Sequence, residues 1–192
     1  MLKGFASEVF DSQMVFRQIL NAMANPGTIM DIGIALCSPE SLHRASGAIL
    51  LTLLDFETLL WSDLGNNSKA VKWIKFHTGT PYTNIKDKSL FALCTDYDNL
   101  EDPEFFNQGT IESPHQSTTL IIQTKGIDNR ESIRLTGPGI KAQAFLRVQG
   151  VKELFLDQRA EIFKNYPLGI DMIFVCGSTF AAIPRTSRVE IL

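Results

Sequence analysis

Five side chains in this 192-residue sequence pair a reactive or ligand-binding group with a position that a plain core would not need: Arg17, His77, Asp171, Arg185 and Thr186. Asp171 stands at the threshold of an apolar run, Met172 to Cys176. Arg185 leaves a second run, Phe180 to Ile183, through "IPRTS". Arg185, Thr186 and Ser187 offer a guanidinium and two hydroxyls, the group types that bind phosphate or phosphonate oxygens. They also make an ordinary loop, and the residue types leave both readings open. A carboxylate entering a buried strand needs donors, either amides of the "PLG" turn or an arginine. On that reading Asp171 and Arg185 hold a hairpin rim and a docking surface.

Arg17 sits among apolar helical neighbours in "VFRQIL". It either snorkels, its stem on the core and its head in water, or is buried against an anion such as Asp171. In "KFHTGTP", Lys75 and His77 fall at a helix C-terminus, where they complement the helix dipole or hold a ligand. His43 reads as a solvated helical residue and His115 as a loop residue.

Several chemistries are missing from the text. There is no phosphate loop, and "GPGIKA" supplies only part of a dinucleotide fingerprint, its proline removing an amide donor. A tight strand exit is the better reading. No G-x-S-x-G nucleophile elbow is present. Cys37, Cys94 and Cys176 are dispersed beside apolar runs and read as buried thiols, not as a disulfide frame, a zinc knuckle or an iron–sulfur site. The histidines lack metal-ligand spacing, so neither a metal nor a cofactor is expected. A net charge of −3 argues against a nucleic-acid surface. The run "AILLTLL" is too short to cross a bilayer, and "MLKGFASEVFDSQ" lacks the apolar core of a secretory signal. No membrane association and a cytoplasmic location are the expectations.

These groups must be positioned by a single domain over residues 1–192. A first helix is expected from Ser12 to Ala24, with Val15, Phe16, Ile19, Leu20 and Met23 at helical spacing and "NPG" as its stop. "TIMDIGI" reads as a strand. Ser38 and Pro39 are read as the N-cap and first residue of a second helix. "ETLLWS" and "SLFALCT" read as strands flanking a third helix that ends at Gly79. Residues 96–117 read as loop. "STTLIIQT" and "ESIRLTG" are expected to pair through a "KGIDNR" hairpin, and the start of "AQAFLRVQGVKELFLDQRAEIFKN" is ambiguous. Helices alternating with strands early, then hairpins, imply an α/β domain with a mixed sheet.

The blocks "VFDSQMVFRQILNAMANPGTI", "LLTLLD", "KFHTGTP", "IRLTGPGI", "YPLGIDMIFVCG" and "AIPRTSRVEI" resemble, in this order, the PhnH family of the bacterial carbon–phosphorus lyase system. The likeness is weakest over residues 96–117. The resemblance implies a three-layer α/β/α fold with a mixed central sheet, like the large domain of PLP-dependent transferases without the cofactor. It also implies a homodimer, and a core complex with G, I and J subunits. In that system G, H, I and L proteins make ribose 1-alkylphosphonate 5-triphosphate from ATP and an alkylphosphonate. An accessory, non-catalytic subunit is the leading expectation. An independent enzyme binding a phosphonate or nucleotide anion in a dimer cleft is the alternative. The resemblance assigns no catalytic residue.

Overall fold

A computed structural model describes residues 2–192. The chain builds two sheets. The larger has six strands in the order β1-β8-β7-β4-β3-β2: β1 Ile29–Asp31, β2 Leu60–Ser62, β3 Phe91–Cys94, β4 Thr119–Gln123, β7 Asp171–Cys176 and β8 Thr179–Ile183. Strands β2, β3, β4 and β7 run parallel, and β8 and β1 are antiparallel to their neighbours. The mixed α/β expectation holds.

The strand sequences explain the layering. Along β4 and β7, side chains alternate between two cores. Ile121, Ile173 and Val175 face helices α1 (Glu8–Ala24), α2 (Arg44–Leu53) and α3 (Lys69–Thr78). Leu120, Ile122, Met172 and Phe174 face the other way. There the expected second helical layer is mostly a three-stranded antiparallel sheet in the order β6-β5-β9: β5 Gly126–Thr136, β6 Ala144–Gln149 and β9 Arg188–Ile191. Helix α4 (Glu153–Ile162) completes that layer with Phe155 and Leu156.

The proposed hairpin through "KGIDNR" does not form. Strand β4 pairs only with β3 and β7, because its buried residues belong on both faces of a central strand. The "KGIDNR" stretch is the extended first half of β5, pairing with β6 at Gly126↔Gln149 and Asp128↔Arg147. The second helix also starts later than Ser38. Residues 39–42 make a turn closed by Leu42 N–H on Pro39 O (2.8 Å), and the Ser38 hydroxyl donates to Leu42 O. His43 is the N-cap residue, its amide held by Gln123 Oε1 at 2.6 Å, so a contact with β4 sets where α2 begins. Helix α1 starts earlier than expected, at Glu8, with the Ser7 amide donating to Asp11. Only Val15, Ile19 and Ala22 of α1 are buried; Phe16 and Leu20 are exposed, contrary to the inward face expected for them.

Two glycine motifs meet where α1 ends. The Asn129 side-chain amide donates to Gly27 O and to Phe145 O, both at 2.9 Å, clasping the "NPG" turn against β6. Gly139 in "GPG" has φ +82°, and a Cβ there would lie 2.0 Å from Ala24 O. No side chain fits without moving the end of α1. Gly139→Ala is therefore expected to cost more than about 2 kcal/mol, from the positive φ and the backbone clash together. Denaturant unfolding showing an unchanged midpoint would contradict this packing.

Candidate functional site

Two rims of the central sheet gather the polar groups. At the amino ends of the parallel strands, Thr119 of β4 stands opposite Asp171 of β7. The half-buried Asp171 carboxylate accepts the backbone N–H of Arg185 at 2.7 Å, closing the exit of β8 back onto the entry of β7. Arg185 Nη1 donates to Pro114 O and, at 2.5 Å, to Ser117 Oγ, which ties the 113–117 loop to the same rim. Thr186 follows in the turn closed by Ser187 N–H on Pro184 O (2.9 Å). The expected closeness of Asp171 and Arg185 is thus made through a main-chain amide, while the guanidinium works inward on neutral acceptors.

The other two sequence candidates lie apart. Arg17 is exposed on α1, so the buried alternative does not hold. His77, at the C-terminal end of α3, packs edge-on against Trp73 with ring centroids 5.1 Å apart. Its Nε2 donates to Leu2 O at 3.1 Å, and Trp73 Nε1 donates to the same oxygen at 2.9 Å, so both rings anchor the N-terminal segment. No hydrogen bond or ion pair among the described residues joins Arg17 or His77 to the Asp171–Arg185 pair. Within one chain, Arg17 and His77 stand apart from the Asp171–Arg185 rim.

The second rim lies at the carboxyl ends of the strands, where open α/β sheets usually bind ligands. A cleft of about 290 Å³ opens after β2 and β3, lined by Trp61, Asp63, Lys86, Cys94, Glu101 and Phe106 among others. Its charges are internally matched. The Lys86 ammonium lies 5.0 Å from the Trp61 ring centre and pairs with Glu101. Asp63 accepts the amides of Thr95 (2.6 Å) and Asp96 (2.8 Å). Burial pushes the Cys94 thiol well above its usual range, which removes it as a thiolate nucleophile.

Between β4 and β7, His43 is half-buried, not solvated. Its Nδ1 lies 3.2 Å from Val175 O; a carbonyl only accepts, so Nδ1 carries a proton and donates to it. No histidine among the described residues is hydrogen-bonded to a serine, threonine or cysteine side chain. The geometry lacks an activated nucleophile of that kind.

The chain matches the family model described as "Bacterial phosphonate metabolism protein (PhnH)" over residues 3–190. This chain belongs to the PhnH family. It is 36% identical over 188 residues to the "Alpha-D-ribose 1-methylphosphonate 5-triphosphate synthase subunit PhnH" of Rhizobium meliloti (strain 1021), covering 97% of this chain and 94% of that one. It is 27% identical over 180 residues to the "Putative C-P lyase subunit protein HtxG" of Stutzerimonas stutzeri, covering 93% and 86% respectively. Membership of the PhnH family carries with it a role in phosphonate metabolism.

Within this PhnH-family chain, the blocks "PLGID" and "IPRTS" meet at the amino-end rim, and beneath them lies a residue that sequence reasoning passed over. Arg159 of α4 is 1% exposed, and its Nη2 donates to Pro184 O at 3.0 Å. Burial lowers its pKa to about 10, against the opposing effect of the nearby Asp171 charge. The signal was legible: Phe155, Leu156 and Ile162 are four and three residues before and three after it, which puts Arg159 on the buried face.

Two outcomes follow. Asp171→Asn keeps an acceptor for the Arg185 amide but removes the charge near Arg159, and should cost about 1–3 kcal/mol. An unchanged urea midpoint would show that the charge contributes nothing. In thiol labelling of the native chain, exposed Cys37 should react first and buried Cys94 only on unfolding. Rapid native labelling of Cys94 would contradict its burial.

Proposed function

We propose that this PhnH-family chain is an accessory subunit of a carbon–phosphorus lyase core complex, assembling with G, I and J subunits and not catalytic alone. With G, I and L proteins it supports formation of ribose 1-alkylphosphonate 5-triphosphate from ATP and an alkylphosphonate. The expected kinship with the PLP-dependent transferase large domain, without its cofactor, and the cytoplasmic location belong to the same reading. No helix among the described residues is long and apolar enough to cross a membrane.

The observation that carries the assembly role is the outer face of α1. Val9, Phe16 and Leu20 share one stripe at helical spacing and are 74%, 44% and 52% exposed, with Phe10 and Met14 beside them. A lone exposed leucine needs no explanation, but a contiguous stripe of this kind marks an interface. A second copy fits it when the chain is isolated. A two-fold pairing through this stripe sets the two α1 helices antiparallel, with their dipoles opposed.

Light scattering should give a dimer at micromolar concentration, converted to a folded monomer by a Phe16→Asp, Leu20→Asp double variant. A dimer that survives both charges places the interface elsewhere. Co-expression with the other lyase subunits tests the complex: co-purification of the wild-type chain with them is the expected result. Failure to co-purify, together with phosphonate growth that does not need this gene, would overturn the proposed role.

A further inference from the structure

Six buried side-chain polar atoms among the described residues have no hydrogen-bond partner, and three of them belong to Arg159 and to Ser187 of the "IPRTS" turn: Arg159 Nε, Arg159 Nη1 and Ser187 Oγ. Arg159 and Ser187 meet at one carbonyl, since Arg159 Nη2 and the Ser187 amide both donate to Pro184 O, at 3.0 and 2.9 Å. Neither side chain reaches water, with exposures of 1% and 0%. A guanidinium held out of water with two of its three nitrogens unpaired is costly unless an anion meets it.

The surrounding charges do not supply that anion by direct contact. Two guanidinium groups, Arg159 and Arg185, share the rim with one carboxylate, Asp171. Asp171 Oδ1 accepts the Arg185 amide and its charge acts on Arg159 only through space, while Arg185 Nη1 donates to Pro114 O and Ser117 Oγ. No ion pair among the described residues involves Arg159. The cluster carries a net positive charge, with unpaired N–H donors on one arginine and a hydroxyl free to donate beside them. That combination matches several oxygens converging from one centre.

We propose that Arg159 and Ser187 form a binding site for a small tetrahedral oxyanion, a phosphate or phosphonate group held as a monoanion. Access runs from a cleft of about 210 Å³ lined by Glu104, Gln108, Ile162, Asn165 and Leu168. Ile162 lies one turn along α4 from Arg159. Gly169 packs between Ile162 of the cleft and Arg185 of the rim, since a Cβ there would meet Ile162 Cγ2 at 3.6 Å and Arg185 Cβ at 3.3 Å. The cleft is smaller than the roughly 300 Å³ at which pockets for larger ligands begin, so the site takes the anionic head alone and not a nucleotide. Exposed Glu104 on the rim disfavours more highly charged anions. The choice of oxyanion rests on the family's role in phosphonate metabolism; the existence of an anion site rests only on the buried donors.

The test is a titration of the full chain with inorganic phosphate and with methylphosphonate, read by phosphorus NMR line broadening and by melting temperature, with chloride at equal ionic strength as control. Saturable binding of either oxyanion, absent with chloride, is expected. Preference for methylphosphonate assigns the site to pathway chemistry, and preference for phosphate to the free ion. Arg159→Met, which preserves much of the stem volume, should weaken binding at least tenfold. Ser187→Ala should weaken it about threefold or more, and carries the test if Arg159→Met does not fold. No saturable binding, or binding unchanged in a folded variant, would overturn the site. Co-purification with the lyase subunits is scored separately: a chain that assembles but ignores oxyanions removes this site alone, and one that binds oxyanions but never assembles removes the proposed subunit role alone.

Discussion

Leu120, Ile122, Met172 and Phe174 point to one side of the central sheet and Ile121, Ile173 and Val175 to the other, and none of these side chains has measurable exposure. Burying each contributes about 1.5–3 kcal/mol. Strands apolar on both faces stay out of water only if a layer covers each side. Helices α1, α2 and α3 supply one layer, and β5, β6, β9 and α4 supply the other. The polar groups of both rims lie at the ends of these strands, because nothing polar is tolerated along the length of β4 and β7.

The two ends solve the same problem differently. At the carboxyl ends, charges are matched locally: Lys86 with Glu101, Asp63 with two amides, and Gln123 bridging the His43 amide and Ser41 O. At the amino ends the matching is incomplete. Asp171 and Arg185 close the β7–β8 hairpin and hold the 113–117 loop, but Arg159 enters the core from α4 with donors left over. Lowering its pKa to about 10 still leaves the guanidinium charged at neutral pH, so protonation change does not relieve the burial.

Helix α1 shows how tertiary structure divides one apolar sequence into two surfaces. Val15, Ile19 and Ala22 pack on α2 and the sheet, while Val9, Phe16 and Leu20 face outward. The helix is anchored at its end by the "NPG" turn, which Asn129, Gly139 and the weak Gly27 N–H contact to Ala182 O (3.4 Å) hold in place. That anchor sets the rotation of α1 and therefore which apolar residues are left for another chain.

Local pattern alone was enough for much of this protein. Alternation and apolar runs marked β3, β4, β7 and β8. The Gly79 stop marked the end of α3, and the "GPG" exit was legible because only glycine tolerates its positive φ. The ordered family blocks, from "NPG" to "IPRTS", also identified the family. Three things needed the folded chain. Strand β4 pairs with β3 and β7 and not with the following segment, because partner choice depends on burying both faces, a property no short window contains. The start of α2 moved to His43 because Gln123, 80 residues away, accepts its amide. Arg17 and Arg159 both sit among apolar neighbours in sequence, yet the first is exposed and the second buried. Helical spacing places a residue on a stripe, but only the packing of that stripe against the rest of the molecule decides whether its charge meets water.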